Sequence, residues 1–116
     1  MAAIHFICRR DEHADYSPHP NLLYDRDTAQ WVSGYWDVSL DDARVLVGGR
    51  IYLHSAKAEG AYFGGRIVEP FFVVQTTHAH ELRIAFVFDA LPSCRGIRWR
   101  GANHAMAWTS GVVPGD

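Results

Sequence analysis

The chain has 116 residues, of which 48% are hydrophobic and 21% charged, and its formal net charge is -2. This length predicts a single domain, residues 1–116, with one core. The charge argues against a uniformly basic polyanion binder, and no apolar run approaches the roughly 20 residues of a membrane span. Because the N-terminus lacks a secretory signal pattern, we expect a cytoplasmic protein whose two cysteines, Cys8 and Cys94, stay reduced.

The first residues predict a short strand, because apolar side chains recur at every second position while His5 falls between them. The alternating apolar residues are Ile4, Phe6 and Cys8. Residues 9–27 are polar and aspartate-rich, which predicts a long surface connection. His13 and His19 in this segment match no metal-ligand spacing. We therefore interpret them as solvated loop residues.

One helix is predicted over residues 40–47. Ser39 can accept a hydrogen bond at its N-terminus, and Asp42 stands at the third helical position to complete a capping box. Gly48 supplies the left-handed residue that commonly follows a helix. A helix this short is expected to pack on a sheet as an accessory element.

The central segment, residues 48–67, predicts a strand, a loop and a second strand. Ile51 and Leu53 point to one face of the first strand, whereas Tyr52 and His54 point to the other. A polar and aromatic loop follows between two glycine pairs, and it includes the only lysine of the chain. The side chains that we assign to this ligand-facing rim are Ser55, Lys57, Glu59, Tyr62 and Phe63.

Two further strands are predicted after this segment. Residues 65–77 are rich in β-branched and aromatic side chains, and Pro70 predicts an edge or a bulge within them. Residues 82–89 alternate and are almost entirely apolar, which favours a central strand. His78 and His80 fall in the turn between these strands, where no third metal ligand is evident.

Counting these patterns gives about five or six short strands and one helix. We therefore predict an α+β domain built on a small, mainly antiparallel curved sheet or partial β-barrel, with the short helix closing one side.

The helix and the glycine-led strand after it resemble the core of PUA-like barrels of the EVE, YTH and ASCH type. The residues that carry this resemblance are GGRIYLHSAK (48–57) and FGGRIV (63–68), within about residues 36–74. The resemblance implies a PUA-like fold that binds RNA, another nucleic acid or a modified base. The amidohydrolase branch of the ASCH group is thought to use a Lys, Thr and Glu set. Lys57 can stand for that lysine, although no threonine follows it at short spacing.

A pocket that reads a base needs a stacking wall, directed hydrogen bonds and contacts to phosphate. Trp99 lies between Arg98 and Arg100, a basic and aromatic pattern typical of single-strand binding. The candidate binding residues are Trp36, Tyr52, His54, Ser55, Lys57, Tyr62, Arg98, Trp99, Arg100, Asn103, His104 and Trp108. The competing interpretation is that most of these aromatic side chains belong to the core.

The pattern favours a module that binds nucleic acid or a modified nucleotide without a metal or cofactor. A first alternative is a small hydrolase of the ASCH amidohydrolase type, with Lys57 and Glu59, or His104 and Ser110, as its reactive pair. A second alternative is an accessory factor that binds a protein partner through exposed aromatic side chains.

Overall fold

The computed structural model describes residues 1–8, 22–75, 82–101 and 109–115, which form a seven-stranded sheet, one α-helix and a short 3₁₀-helix at Pro92–Cys94. The elements in chain order are β1 (Ala2–Ile7), β2 (Leu22–Asp25), β3 (Gln30–Trp36), α1 (Leu40–Leu46), β4 (Arg50–His54), β5 (Phe63–Gln75), β6 (Leu82–Ala90) and β7 (Thr109–Pro114). The strand order in the sheet is β2-β3-β6-β5-β4-β1-β7. In this part of the chain, no helix has the length and apolar character needed to cross a membrane.

The sheet is open and mixed, with β2 and β7 at its edges. Strand β1 runs parallel to β4, and the other neighbouring strands of the described sheet are antiparallel. The predicted sheet-rich α+β domain with one short α-helix is confirmed in this general form. The strand count was too low, however, because β2 lies within residues 9–27, which we predicted to be a connection.

Helix α1 begins and ends close to its predicted bounds because its signals are local. The Ser39 side chain accepts a hydrogen bond from the Asp42 backbone N–H at 3.1 Å, as the capping prediction required. Gly48 has a φ of 85°, which confirms the left-handed exit. Ala43 and Leu46 are buried and pack the helix on one face of the sheet.

The main core lies on the face of the sheet that α1 covers. The predicted alternation is confirmed for β4 and for residues 84–88 of β6, because Ile51, Leu53, Ile84, Phe86 and Phe88 belong to this core. Its buried members are Ile4, Phe6, Cys8, Trp36, Val38, Ala43, Leu46, Ile51, Leu53, Ile67, Ile84, Phe86 and Phe88. A smaller cluster of Ala3, Tyr52, Ala61, Cys94 and Val113 lies on the opposite face.

Strand β5 contains the predicted irregularity at Pro70. Its register with β6 shifts between Val68 and Phe72, which is a bulge in an interior strand. The alternative prediction, that Pro70 marks an edge strand, is therefore wrong. Strand β6 is interior, as predicted for residues 82–89, and both Cys8 and Cys94 are buried.

The imidazoles predicted to be solvated or in a turn lie outside the described residues. These are His13, His19, His78 and His80.

The glycine pair at the start of β5 allows close approach to both neighbouring strands. A Cβ at Gly64 would clash with the Ile51 carbonyl oxygen, and a Cβ at Gly65 would clash with the Asp89 carbonyl oxygen. Both contacts are with backbone atoms, which cannot move aside without disturbing β4 or β6. Positions 64 and 65 therefore require glycine, because there is no room for a Cβ atom.

The substitution Gly65→Ala should therefore lower the free energy of unfolding by about 1–3 kcal/mol, the usual cost of overpacking. Urea denaturation of the variant and the wild type measures this difference. The matched control is Arg66→Ala, at the exposed next position of the same strand, which should change the value by no more than about 0.5 kcal/mol. Equal stability of the two variants would contradict the steric explanation.

Candidate functional site

Two buried histidines, His5 on β1 and His54 on β4, lie on the face of the sheet opposite α1. The parallel register of β1 and β4 sets His5 beside Tyr52 and two residue pairs from His54, which is on the same face of the sheet. The His5 Nδ1 and His54 Nε2 atoms are 2.7 Å apart, which is hydrogen-bond distance. Both side chains have 0% exposure, so this polar pair is enclosed by the protein.

The hydrogen bonds assign the proton on each ring. His54 Nδ1 lies 2.9 Å from the Glu59 carbonyl oxygen, which can only accept, so this nitrogen carries the proton. In a neutral ring, His54 Nε2 is then an acceptor, and His5 Nδ1 must donate to it. His5 Nε2 is left with a lone pair. It is buried and has no hydrogen-bond partner among the described residues.

The surroundings keep both imidazoles neutral at physiological pH. Burial, together with the neighbouring His54 and Arg100, lowers the pKa of His5 to about 3. Burial also lowers the pKa of His54, although its hydrogen bond to the Glu59 carbonyl opposes that effect. The pair is therefore a neutral relay that ends in an acceptor.

Aromatic rings enclose this histidine pair. Tyr52 stacks on His5 with ring centroids 4.7 Å apart and an interplanar angle of 24°. The Trp99 ring lies 5.5 Å from the His5 ring and 5.1 Å from the His54 ring. The indole Nε1 of Trp99 is buried and, like His5 Nε2, has no hydrogen-bond partner in the described part of the chain.

Two cations contact the same rings. The Lys57 Nζ atom lies 5.3 Å from the Trp99 ring centroid, and the Arg100 guanidinium carbon lies 5.8 Å from the Tyr52 ring centroid. Both distances fall within the range of cation–π attraction. The exposed Lys57 and the half-buried Arg100 thus set positive charge beside a neutral, aromatic interior.

The loop after β4 holds the segment that carries Trp99. The backbone N–H of Gly96 donates to the Ala61 carbonyl at 2.8 Å, and the Ala61 N–H donates to the Ile97 carbonyl at 2.9 Å. A Cβ at Gly60 would lie 2.9 Å from the Gly96 carbonyl oxygen, so the two segments approach closely. This contact explains how Lys57 and Trp99, far apart in sequence, come together.

Strand β7 supports the His5 backbone. The Ser110 hydroxyl accepts a hydrogen bond from the His5 N–H at 2.9 Å and donates to the Gly111 carbonyl at 2.6 Å. These two bonds give Ser110 a structural role, which leaves its hydroxyl poorly suited to be the nucleophile of the hydrolase alternative. His104, its suggested partner, lies outside the described residues.

The structure brings together some of the predicted site residues. His54 is one member of the histidine pair, and the predicted residues that lie around the pair are Tyr52, Lys57, Trp99 and Arg100. Ser55 and Arg98 are exposed next to members of this group in the chain, and the Glu59 side chain is exposed as well.

Two predicted residues belong to the other face of the sheet, where they cannot form a wall of this site. Trp36 is buried against Phe6, with centroids 4.2 Å apart, and the Tyr62 hydroxyl donates to the Cys8 carbonyl. Aromatic content alone did not show which face each ring would occupy. Asn103, His104 and Trp108 lie outside the described residues.

His5 was missed as a candidate. Its alternation with Ile4 and Phe6 placed it away from the main core, which was a usable signal. The sequence did not show that β1 pairs with β4, and only that pairing brings His5 to Tyr52 and His54.

The pair does not by itself make a metal centre. A zinc site needs three or four protein ligands, and the described ranges contain no group of three or more His, Cys, Asp or Glu side chains that could hold an ion.

A scan against protein-family models, a search of curated proteins and a search of solved structures each gave no match to this chain.

The neutral pair makes stability depend on pH. The unfolded chain binds protons at His5 near pH 6.5, whereas the folded protein excludes them down to about pH 3. The free energy of unfolding should therefore decrease as the pH falls through this interval, with His54 contributing in the same direction.

Chemical denaturation at several pH values, for the wild type and for His5→Asn, tests this prediction. The carboxylates titrate in both proteins, so the difference between the two curves isolates the imidazole. We expect a smaller loss of stability on acidification in the variant. Parallel curves would show that His5 is not held neutral.

Proposed function

We propose that this chain is a binding module for single-stranded nucleic acid or a nucleotide, which holds a base against Trp99 and contacts phosphate through Lys57 and Arg98. The observation that carries this proposal is the approach of Lys57 Nζ to within 5.3 Å of the Trp99 ring, beside the enclosed histidine pair. A stacking ring next to a cation is the combination by which proteins grip a base together with its phosphate.

The division of charge supports this assignment. The two imidazoles are neutral and buried, so the interior can accept an uncharged ring. Lys57 and Arg98 are exposed, so they can meet an anion without being taken out of water. A negative formal charge of the whole chain is compatible with such a local arrangement, because contacts to phosphate act over short distances at physiological salt.

The fold supports it as well. An open sheet with one face covered by α1 leaves the other face to carry the site. The likeness of residues 48–57 and 63–68 to PUA-like domains of the EVE and YTH type points to the same class of ligand. The PUA-like identity is part of the proposal.

The hydrolase alternative has less support. Lys57 lies against an aromatic ring, which suits a binding role, and Glu59 contributes its backbone carbonyl to the histidine relay. A protein-binding role would draw on exposed apolar side chains such as Leu23 and Tyr24, but these lie on the edge strand β2, away from the histidine pair.

The test is equilibrium binding of short single-stranded oligonucleotides as a function of salt. We expect affinity to fall as salt increases, with a slope of about −0.7 per phosphate neutralised. Trp99→Ala should weaken binding about 5- to 150-fold, the range for loss of one stacked base. Lys57→Ala should weaken it and make the salt slope shallower by about 0.7.

The matched control is Arg44→Ala on α1, where the arginine lies 3.5 Å from Asp41 on the opposite side of the molecule. This variant removes one positive charge and should bind as the wild type does. If no oligonucleotide binds at low salt, or if Arg44→Ala and Lys57→Ala weaken binding equally, the proposal fails.

A further inference from the structure

The site contains one buried hydrogen-bond acceptor, His5 Nε2, and one buried donor, Trp99 Nε1–H, which do not bond to each other. His5 Nε2 is an acceptor, because the relay from the Glu59 carbonyl fixes the proton of His5 on Nδ1. Trp99 Nε1–H can only donate. Both atoms are buried without a hydrogen-bond partner in the described part of the chain, and their rings are 5.5 Å apart.

Buried polar atoms are rarely left without a partner in native proteins, so such exceptions need an explanation. Here one acceptor and one donor lie on neighbouring rings beside the cationic side chain of Arg100. Its charge lies close enough to His5 to lower the imidazole pKa. A ligand that pairs with all three groups would donate an N–H to His5 Nε2. It would also present one oxygen acceptor to Trp99 Nε1–H and another to the Arg100 guanidinium.

We propose that His5 Nε2, Trp99 Nε1–H and the Arg100 charge together recognise the imide edge of a uracil or thymine base, in which a ring N–H lies between two carbonyl oxygens. This inference rests on the proposed function and names the base that the site prefers at the Nε1–H edge of the Trp99 indole, while the base of a neighbouring nucleotide stacks on the face of that ring. His5 is its specificity-determining residue, and His54 is a positioning residue that holds the His5 ring in the required tautomer.

The other bases fit this arrangement less well. Adenine and cytosine carry an exocyclic amino group on the same edge, which would direct a donor at Trp99 N–H or at the Arg100 cation. Guanine has one carbonyl oxygen beside its ring N–H, but an amino group on the other side. A phosphate is excluded from this position, because a neutral imidazole presents its lone pair to the anion.

The base has to reach atoms that are shielded from solvent. Trp99 lies in residues 97–101, which form neither helix nor strand, and the neighbouring His5 and His54 are fixed in β1 and β4. The indole is therefore the wall that can shift, and its movement would open the histidine acceptor to the ligand.

The first experiment compares wild-type binding of three oligonucleotides of equal length at one salt concentration, made of uridine, 3-methyluridine or cytidine. Methylation removes the ring N–H and leaves both carbonyls and all phosphates in place. We expect oligouridine to bind about 5- to 150-fold more tightly than either of the others, the effect of one unsatisfied buried group. Equal affinities would overturn the inference.

The second experiment uses His5→Asn. The asparagine amide reaches the position of Nδ1 and can still donate to His54, but nothing remains at the position of Nε2. The preference for uridine over 3-methyluridine should disappear, whereas the salt dependence should stay that of the wild type. A variant that keeps the preference would overturn the role of His5.

A third measurement needs no variant and applies even if His5→Asn does not fold. Long-range ¹H–¹⁵N correlation spectra of the labelled wild type report which nitrogen of each histidine is protonated. We expect His5 Nε2 to be unprotonated and to shift on titration with free uridine, but not with 3-methyluridine. A protonated Nε2, or equal responses to both nucleosides, would overturn the inference.

These measurements separate the two proposals. Oligonucleotide binding without a preference for uridine, and without a response of His5, leaves the proposed function standing and removes the imide-reading role. A response of His5 to uridine without oligonucleotide binding removes the polynucleotide ligand and keeps the base site. If neither is observed, both proposals are wrong.

Discussion

The parallel pairing of β1 with β4 is the constraint on which both faces of the sheet depend. It joins the start of the chain to the strand that follows α1, with Ile4 beside Ile51 and His5 beside Tyr52. One side of this pairing completes the apolar core under α1. The other side sets the two imidazoles within hydrogen-bond distance. A slip of one residue would exchange these faces, so the core and the site specify the same register.

The enclosed imidazoles then determine the electrostatic character of the site. Burial disfavours the charged form, and the nearby Arg100 adds to this effect on His5. Positive charge is therefore carried by Lys57 and the arginines, outside the aromatic enclosure. The proposed function depends on this separation, since it assigns an uncharged base to the interior and a phosphate to the rim. A charged histidine pair would offer no lone pair to such a base.

Local signals predicted those parts of the fold that local forces determine. Ser39 and Gly48 identified the ends of α1, and alternation identified the faces of β4 and β6. The sequence did not show that β1 lies beside β4, because parallel pairing between distant segments is decided by packing of the whole sheet. His5 was missed for this reason, although its strand was predicted. Trp99 was identified through its arginine neighbours, but its contact with Lys57 depends on backbone bonds between two loops.

Within the described residues, the relay from the Glu59 carbonyl through His54 to His5 has a hydrogen bond at every step except the last, at His5 Nε2. A buried pair that served stability alone would gain from apolar replacement of similar shape, since removing both polar partners avoids desolvation. Two hydrogen bonds instead hold the His5 ring in one tautomer, with an unprotonated Nε2, and the Trp99 ring lies 5.5 Å away. Sites that break the rule of satisfied polar groups are commonly functional. The proposed ligand would supply the hydrogen-bond partner that the described residues do not give to His5 Nε2.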